Sequence, residues 1–143
     1  MMIVWVSQYD TLLSLNLFVR IGLSLTLLLL GVLICALGVL QFAQHKTTVN
    51  PLQPSKATSL VTTGVYKFTR NPMYLGMVTI SLSVSIYFST LLGLVFVALQ
   101  YFYLTYFQIF PEERALVKLF GDEFTDYSTR VPRWLMLNFK KWR

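Results

Sequence analysis

Two long apolar blocks dominate the pattern of hydrophobic and polar positions along the chain. The first runs from Ile21 to about Gln41 without a charged residue, and the second runs from Met73 to Phe110 without Asp, Glu, Lys, Arg or His. Helices exposed to water carry apolar residues on one face, whereas helices in lipid are apolar all round. The pattern therefore predicts an all-helical, polytopic membrane protein.

The lengths of the two blocks predict how many times the chain crosses the bilayer. About 20 helical residues span the hydrocarbon layer, so the first block is one transmembrane helix. The second block is nearly twice as long as one span and must fold back on itself. Ser89, Thr90 and Gly93 interrupt it, so we expect a tight helical hairpin with its bend around residues 88–93. About three spans result.

Helix start and stop signals divide the rest of the chain. Asn71-Pro72 has the composition of a helix start, with asparagine as the cap and proline at the first helical position. Pro111 is expected to stop or kink the third span, and a separate amphipathic surface helix is expected to follow and to end at Val131-Pro132. One membrane domain is predicted, with segments 1–44 (N-terminal segment and first span), 45–72 (cytoplasmic loop), 73–110 (helical hairpin) and 111–143 (cytoplasmic tail).

The positions of the basic residues predict the orientation of the chain. Lysine and arginine near spans are retained in the cytoplasm, and here they cluster in the loop and the tail, while only Arg20 lies on the other side. The loop and tail should therefore be cytoplasmic, with the N-terminus and the hairpin bend outside. The net charge of +6 fits anionic lipid, and no nucleic-acid partner is expected. Cys35, the only cysteine, lies inside the first span and is expected to be a packing residue.

Two polar clusters stand next to the span ends on the predicted cytoplasmic side. One covers residues 64–74 and the other residues 112–134. Because the two helices of a hairpin return to the same side, their ends there must be neighbours. We therefore expect Asn71, Tyr74 and Glu112 to line one pocket, although they are far apart in sequence.

The same clusters carry a family resemblance. The string LVTTGVYKFTRNPMYLG is followed by the apolar hairpin and then by EExxLxxxFGxxFxxYxxxVPRW. This arrangement, over roughly residues 50–134, resembles the isoprenylcysteine carboxyl methyltransferase family and its phospholipid methyltransferase relatives. The resemblance implies an S-adenosylmethionine-dependent methyltransferase that acts at the cytoplasmic face on a lipophilic or membrane-borne acceptor.

The resemblance also implies site residues. The catalytic candidates are Arg70, Asn71 and Tyr74, and no metal is required. A carboxylate suits the cofactor's ammonium, tyrosines suit its sulfonium and adenine, and loop amides suit its carboxylate. By position in the motif, the cofactor-binding candidates are Thr58, Ser59, Leu60, Val61, Tyr66, Asn71, Pro72, Met73, Tyr74 and Glu112.

Two positions depart from the family pattern. Many members have histidine at the position of Asn71, and the isoprenylcysteine enzymes have an arginine at the position of Gln108. That arginine would pair with a substrate carboxylate, so its absence argues against a prenylcysteine carboxylate. An amine, phenol, thiol or other lipid-borne nucleophile is left open, with Gln108 as a weak substrate-contact candidate.

Other functions are compatible with the individual residues. Taken singly, the polar residues can be helix caps, first-turn acids, interfacial aromatics or topology anchors. In that case the chain would be a non-enzymatic membrane protein, such as an assembly factor or transporter accessory. A nicotinamide-dependent membrane reductase is disfavoured because no G-x-G-x-x-G follows a strand.

Overall fold

A computed structural model describes residues 16–44 and 59–135, and every regular element in these ranges is helical. The helices are α1 (Leu17–Gln44), α2 (Pro72–Phe88), α3 (Leu91–Tyr103), α4 (Phe110–Phe120) and α5 (Asp122–Arg130). A 3-10 turn covers Gly64–Lys67, and a π-helical segment, Leu104–Ile109, joins α3 to α4. The predicted all-helical fold class is confirmed.

The hairpin bend lies at the predicted position. Helix α2 ends at Phe88, and Ser89 follows in the left-handed region with φ of 56°. Thr90 then caps α3, because its hydroxyl accepts a hydrogen bond from the Gly93 amide at 3.0 Å. The polar residues that interrupt the apolar run thus end one helix and begin the next.

Among the described residues, two helices are long and apolar enough to cross a bilayer, namely Leu17–Gln44 and the continuous helix Leu91–Phe120. Helix α2 is a shorter apolar helix of 17 residues. Large apolar side chains point outward on these helices, including Phe18 on α1 and Phe96 on α3, which are 83% and 62% exposed. Such surfaces suit a lipid environment. The count of three spans stays a prediction.

The helix does not stop at Pro111, which was one of the two expectations for this residue, and the expected kink stays a prediction. The helix continues from Leu91 to Phe120, and the wide π turn immediately precedes the proline. In this turn the Phe110 amide donates to the carbonyl of Thr105, five residues earlier. The change of register places Pro111 at the start of α4, where it can lie without an amide hydrogen to donate. The chain instead turns at Gly121, with φ of 54°, before the short amphipathic helix α5.

Small residues form the contact between α1 and α2. Ser24, Gly31 and Gly38 recur every seven residues on α1 and are buried. Gly31 lies against Gly76 of α2, and a Cβ added at Gly76 would lie 2.6 Å from the Gly31 carbonyl oxygen. Close backbone approach of this kind is how helices pack where lipid surrounds them.

Two interhelical hydrogen bonds support this contact. The Ser83 hydroxyl donates to the carbonyl of Ser24 at 2.7 Å, and the Cys35 thiol donates to the carbonyl of Met73 at 3.3 Å. Cys35 is therefore a packing residue, as predicted. The contact fixes the end of α1 beside the start of α2, where the polar segments of the chain gather.

Candidate functional site

A small cavity lies where the end of α1, the loop before α2, and helices α2, α4 and α5 meet. Its volume is about 100 Å³. Its lining includes most of the residues that the sequence singled out, and others that it did not. The residues that line it are Phe42, Ser59, Leu60, Val61, Tyr66, Arg70, Asn71, Pro72, Met73, Tyr74, Glu112, Glu113, Leu116, Phe124 and Tyr127.

Tyr74 and Glu112 join the two distant parts of the sequence. The Tyr74 hydroxyl, near the start of α2, donates a hydrogen bond to Oε1 of Glu112 on α4. Gln108, on the π-helical segment, lies near the Tyr74 side chain. The hairpin therefore brings the ends of α2 and α4 together, and Tyr74 orients the Glu112 carboxylate toward the cavity.

Tyr66 forms a buried wall of the cavity. It lies in the 3-10 turn and is 4% exposed. The hydroxyl of Tyr127, on α5, donates to the Tyr66 carbonyl at 2.7 Å, and the Phe42 ring meets the Tyr66 ring edge-on at 5.5 Å. Burial raises the pKa of the Tyr66 and Tyr127 phenols, so both stay protonated at neutral pH. Helices α1 and α5 thus both contact this turn.

The loop before α2 is also attached to the end of α1. The Thr63 hydroxyl donates to Oε1 of Gln41 at 2.8 Å. Gly64 follows with φ of 58° and lies so close to Gln41 that an added Cβ would approach its side chain to 2.7 Å. A residue with a side chain would be strained there. These contacts place Leu60 and Val61 against the cavity.

Asn71 has a different structural role from the one expected of a helix cap. It precedes Pro72 at the start of α2, as predicted, but its side chain makes no capping hydrogen bond. Its Nδ2 instead donates to the carbonyl of Arg133 at 2.9 Å, and the Thr69 hydroxyl donates to the same carbonyl at 3.0 Å. The Arg70 amide adds a bond to the Pro132 carbonyl at 3.0 Å. The tail after α5 is therefore held against the loop.

Arg70 is paired with an acid that the sequence analysis did not assign to the site. Its guanidinium meets Glu113 at 2.9 Å, and both side chains are largely buried, at 10% and 15% exposed. Glu113 also pairs with Arg133 at 2.9 Å. Burial lowers the pKa of Arg70, and the Glu113 carboxylate opposes that shift. The ion-paired group of Arg70, Glu113 and Arg133 closes one side of the cavity.

The structure gathers nearly all the sequence-predicted site residues. Every predicted catalytic and cofactor-binding residue among the described part of the chain lines the cavity, and Gln108 lies behind it, in contact with Tyr74. Thr58 lies outside the described residues. The lining residues that were not predicted from the sequence are Phe42, Glu113, Leu116, Phe124 and Tyr127.

The chemistry of the lining suits a particular kind of ligand. Two carboxylates line the cavity beside tyrosine rings and aliphatic side chains. Glu113 is paired with Arg70 and Arg133, whereas Glu112 accepts the hydrogen bond of Tyr74. Such a surface can bind a cation and an aromatic ring together. The volume is below the roughly 300–1,000 Å³ of typical cofactor pockets, so lining side chains must move to admit a ligand of that size.

Comparison with known proteins gives one match. A family model described as phospholipid methyltransferase matches residues 19–123, which is well over half of the chain. The matched region runs from α1 to the first turn of α5 and includes Tyr66, Tyr74 and Glu112. No curated protein and no solved structure matches the chain.

Proposed function

The chain belongs to the phospholipid methyltransferase family, and from this premise we propose that it transfers the methyl group of S-adenosylmethionine to a membrane-borne acceptor. Family membership itself implies methyl transfer to a lipid-related substrate. The observation that carries the finer proposal is the meeting of the residue 59–66 loop, the residue 70–74 motif and Glu112 around one cavity.

Glu112 is the proposed partner of the cofactor's ammonium group. Tyr74 bonds one of its oxygens and leaves the carboxylate directed into the cavity. An ammonium brought to this carboxylate would form a charge-assisted hydrogen bond in a partly dry site. Such a bond contributes about 1.5–3 kcal/mol, which corresponds to a roughly 10- to 150-fold change in affinity.

The aromatic and aliphatic walls are proposed to hold the rest of the cofactor. Tyr66 and Phe42 offer ring surfaces for the adenine, and Leu60 and Val61 offer aliphatic contact. The cofactor supplies a methyl group on a cationic sulfur, whose charge is lost as the methyl leaves. The residues of the chain then have to hold acceptor and cofactor in line and keep water away from them.

Asn71, Tyr74 and Arg70 are proposed to act around the acceptor. Asn71 lies at the cavity edge and has an amide oxygen that can accept a hydrogen bond from an acceptor amine or hydroxyl. Tyr74 positions Glu112. Arg70 is bound to Glu113, so we assign it a positioning role on the cavity wall.

The acceptor is proposed to carry a nucleophile other than a carboxylate. Gln108 stands where the isoprenylcysteine enzymes have an arginine, and it lies near Tyr74. A neutral amide offers no counter-charge to a substrate carboxylate. An amine, phenol or thiol on a lipid is therefore the better fit. We place the site on the cytoplasmic face, because the basic residues flank this end of the helices.

Cofactor binding by the purified full chain tests the proposal. Isothermal titration of S-adenosylmethionine should show binding to the wild type and a roughly 10- to 150-fold loss for Glu112→Gln. Glu123→Gln is the matched control, because Glu123 is exposed on α5 and does not line the cavity. Equal affinities for all three proteins would refute the site. Absence of binding by the wild type, with copurification of a larger complex, would favour the accessory-protein function.

A further inference from the structure

A second concave surface lies on the outer side of α4, separate from the methyltransferase cavity. This groove is open and has a volume of about 690 Å³. Arg114, Lys118 and Arg133 supply its charge, and Phe110 and Val117 supply apolar contact. The Arg70–Glu113 pair lines both this groove and the cavity, so it forms the wall between them.

The groove carries an excess of positive charge. Of the described residues, four cationic side chains and one carboxylate line it, and that carboxylate is already shared by Arg70 and Arg133. Within the described ranges, Arg114 and Lys118 form no ion pair and are exposed. They stand one turn apart on the same face of α4. A group with several anionic oxygens would satisfy both of them together.

The depth of the groove matches that of phospholipid headgroups. The continuous helix Leu91–Phe120 has 30 residues, of which about 20 fill the hydrocarbon layer. If the apolar part of the helix, which begins at Leu91, fills that layer, the helix leaves the layer near Phe110. Arg114 then stands about 6 Å and Lys118 about 12 Å beyond Phe110 along the axis. Lipid phosphates occupy this zone, which is several ångströms deep on each side of the bilayer.

An apolar path leads from the groove toward the hydrocarbon layer. The Phe110 ring lies under the Arg133 guanidinium at 4.8 Å and contacts the Tyr106 ring edge-on at 5.3 Å. Tyr106 is 58% exposed on the outer surface of the π-helical segment. A molecule with a phosphate and an acyl chain can therefore place its charge on the arginines and its chain on these rings.

We propose that this groove binds an anionic phospholipid, with the phosphate between Arg114, Lys118 and Arg133 and the acyl chain along Phe110 and Tyr106. This lipid is distinct from the methyl acceptor, which reacts on the other side of the Arg70–Glu113 wall. The site would fix the depth and tilt of α4 at the membrane surface. The proposal does not depend on methyl transfer.

Lipid retention by the full chain tests this site. The protein, reconstituted in nanodiscs of phosphatidylcholine with about one tenth phosphatidylglycerol, is extracted into detergent, and the retained lipids are counted by native mass spectrometry. The wild type should retain phosphatidylglycerol in preference to phosphatidylcholine. Each cation near an anionic headgroup changes affinity about fivefold, so Arg114→Gln/Lys118→Gln should lower that preference roughly 25-fold.

The matched control removes two charges from elsewhere at the same end. Lys67→Gln/Arg130→Gln changes exposed residues that do not line the groove, and it should keep the wild-type preference. Arg114→Lys should keep most of the wild-type preference for phosphatidylglycerol. Equal loss in the control double variant, or no preference in the wild type, would overturn the proposal. Displacement of the lipid by millimolar inorganic phosphate would show a free-phosphate site and would also overturn it.

Discussion

The close packing of α1 on α2 predicts that Gly76→Ala destabilises the protein. The added methyl would lie 2.4 Å from the Cys35 sulfur and 2.6 Å from the Gly31 carbonyl oxygen, so the two helices must move apart. Overpacking of this kind costs about 1–3 kcal/mol. The upper part of that range is expected, because one of the clashing atoms belongs to the backbone.

Gly22→Ala is the matched control, because nothing lies within 4 Å of a Cβ at that position of α1. Both substitutions gain the same helix propensity of roughly 1 kcal/mol, so the difference between the two variants isolates the crowding. Reversible unfolding in mixed SDS micelles should place Gly76→Ala about 1–3 kcal/mol below Gly22→Ala. Cys35→Ala in the Gly76→Ala background should recover part of the loss, since only one of the two clashes is removed. Equal stability of the two single variants would refute the packing.

Three further substitutions test the walls of the cavity. Tyr127→Phe leaves the buried Tyr66 carbonyl unpaired and should cost about 1–3 kcal/mol in unfolding free energy. Asn71→Asp places a carboxylate against the Arg133 carbonyl, whereas Asn71→His keeps a hydrogen-bond donor there. Asn71→Asp should therefore lower the rate of methyl transfer in reconstituted membranes more than Asn71→His does. Glu113→Gln leaves two arginines without their counter-charge and should destabilise the protein by about 1.5–3 kcal/mol in the same unfolding assay.

Each of these results has a control and a contrary outcome. Tyr87→Phe, at an exposed ring on α2, should leave stability unchanged, and a loss equal to that of Tyr127→Phe would contradict the role of the buried bond. Glu123→Gln should leave stability unchanged, and an equal effect of Glu113→Gln and Glu123→Gln would contradict the ion-paired group. If Asn71→His is no better than Asn71→Asp, the contact with the tail does not govern activity.

Local sequence signals predicted the hairpin and the proximity of its two ends. A bend was required by the length of the apolar block, and Ser89 and Thr90 were the only polar residues near its middle that suit a turn. Once the bend is fixed, both helices return to the same side, so the polar segments that hold Tyr74 and Glu112 come to the same end of the hairpin. The hydrogen bond between the two residues shows that they meet there.

Tertiary contacts determine the features that local sequence signals did not predict. The helix passes through Pro111 because a π turn shifts the register before it, and no residue type in that segment specifies such a turn. The small-residue face of α1 has meaning only against Gly76, which lies in a different helix. Phe42 reaches the cavity because α1 is long, and nothing near it in the sequence marks it.

Glu112 and Glu113 also show that local sequence does not predict tertiary contacts. They are adjacent in sequence and both lie in the first turn of α4, where successive residues on a helix point about 100° apart. Glu112 therefore faces Tyr74, while Glu113 faces Arg70 and Arg133. The function of each acid depends on which neighbours the fold supplies.

The meeting of α2 and α4 at the proposed cofactor site is tested most directly by a double-mutant cycle. S-adenosylmethionine affinity is measured for the wild type, Tyr74→Phe, Glu112→Gln and the double variant, with Glu123→Gln replacing Glu112→Gln in a parallel cycle. Because the Tyr74 hydroxyl acts through the Glu112 carboxylate, its removal should weaken binding in the wild type and have much less effect in Glu112→Gln. Additive effects in both cycles would contradict a shared pocket.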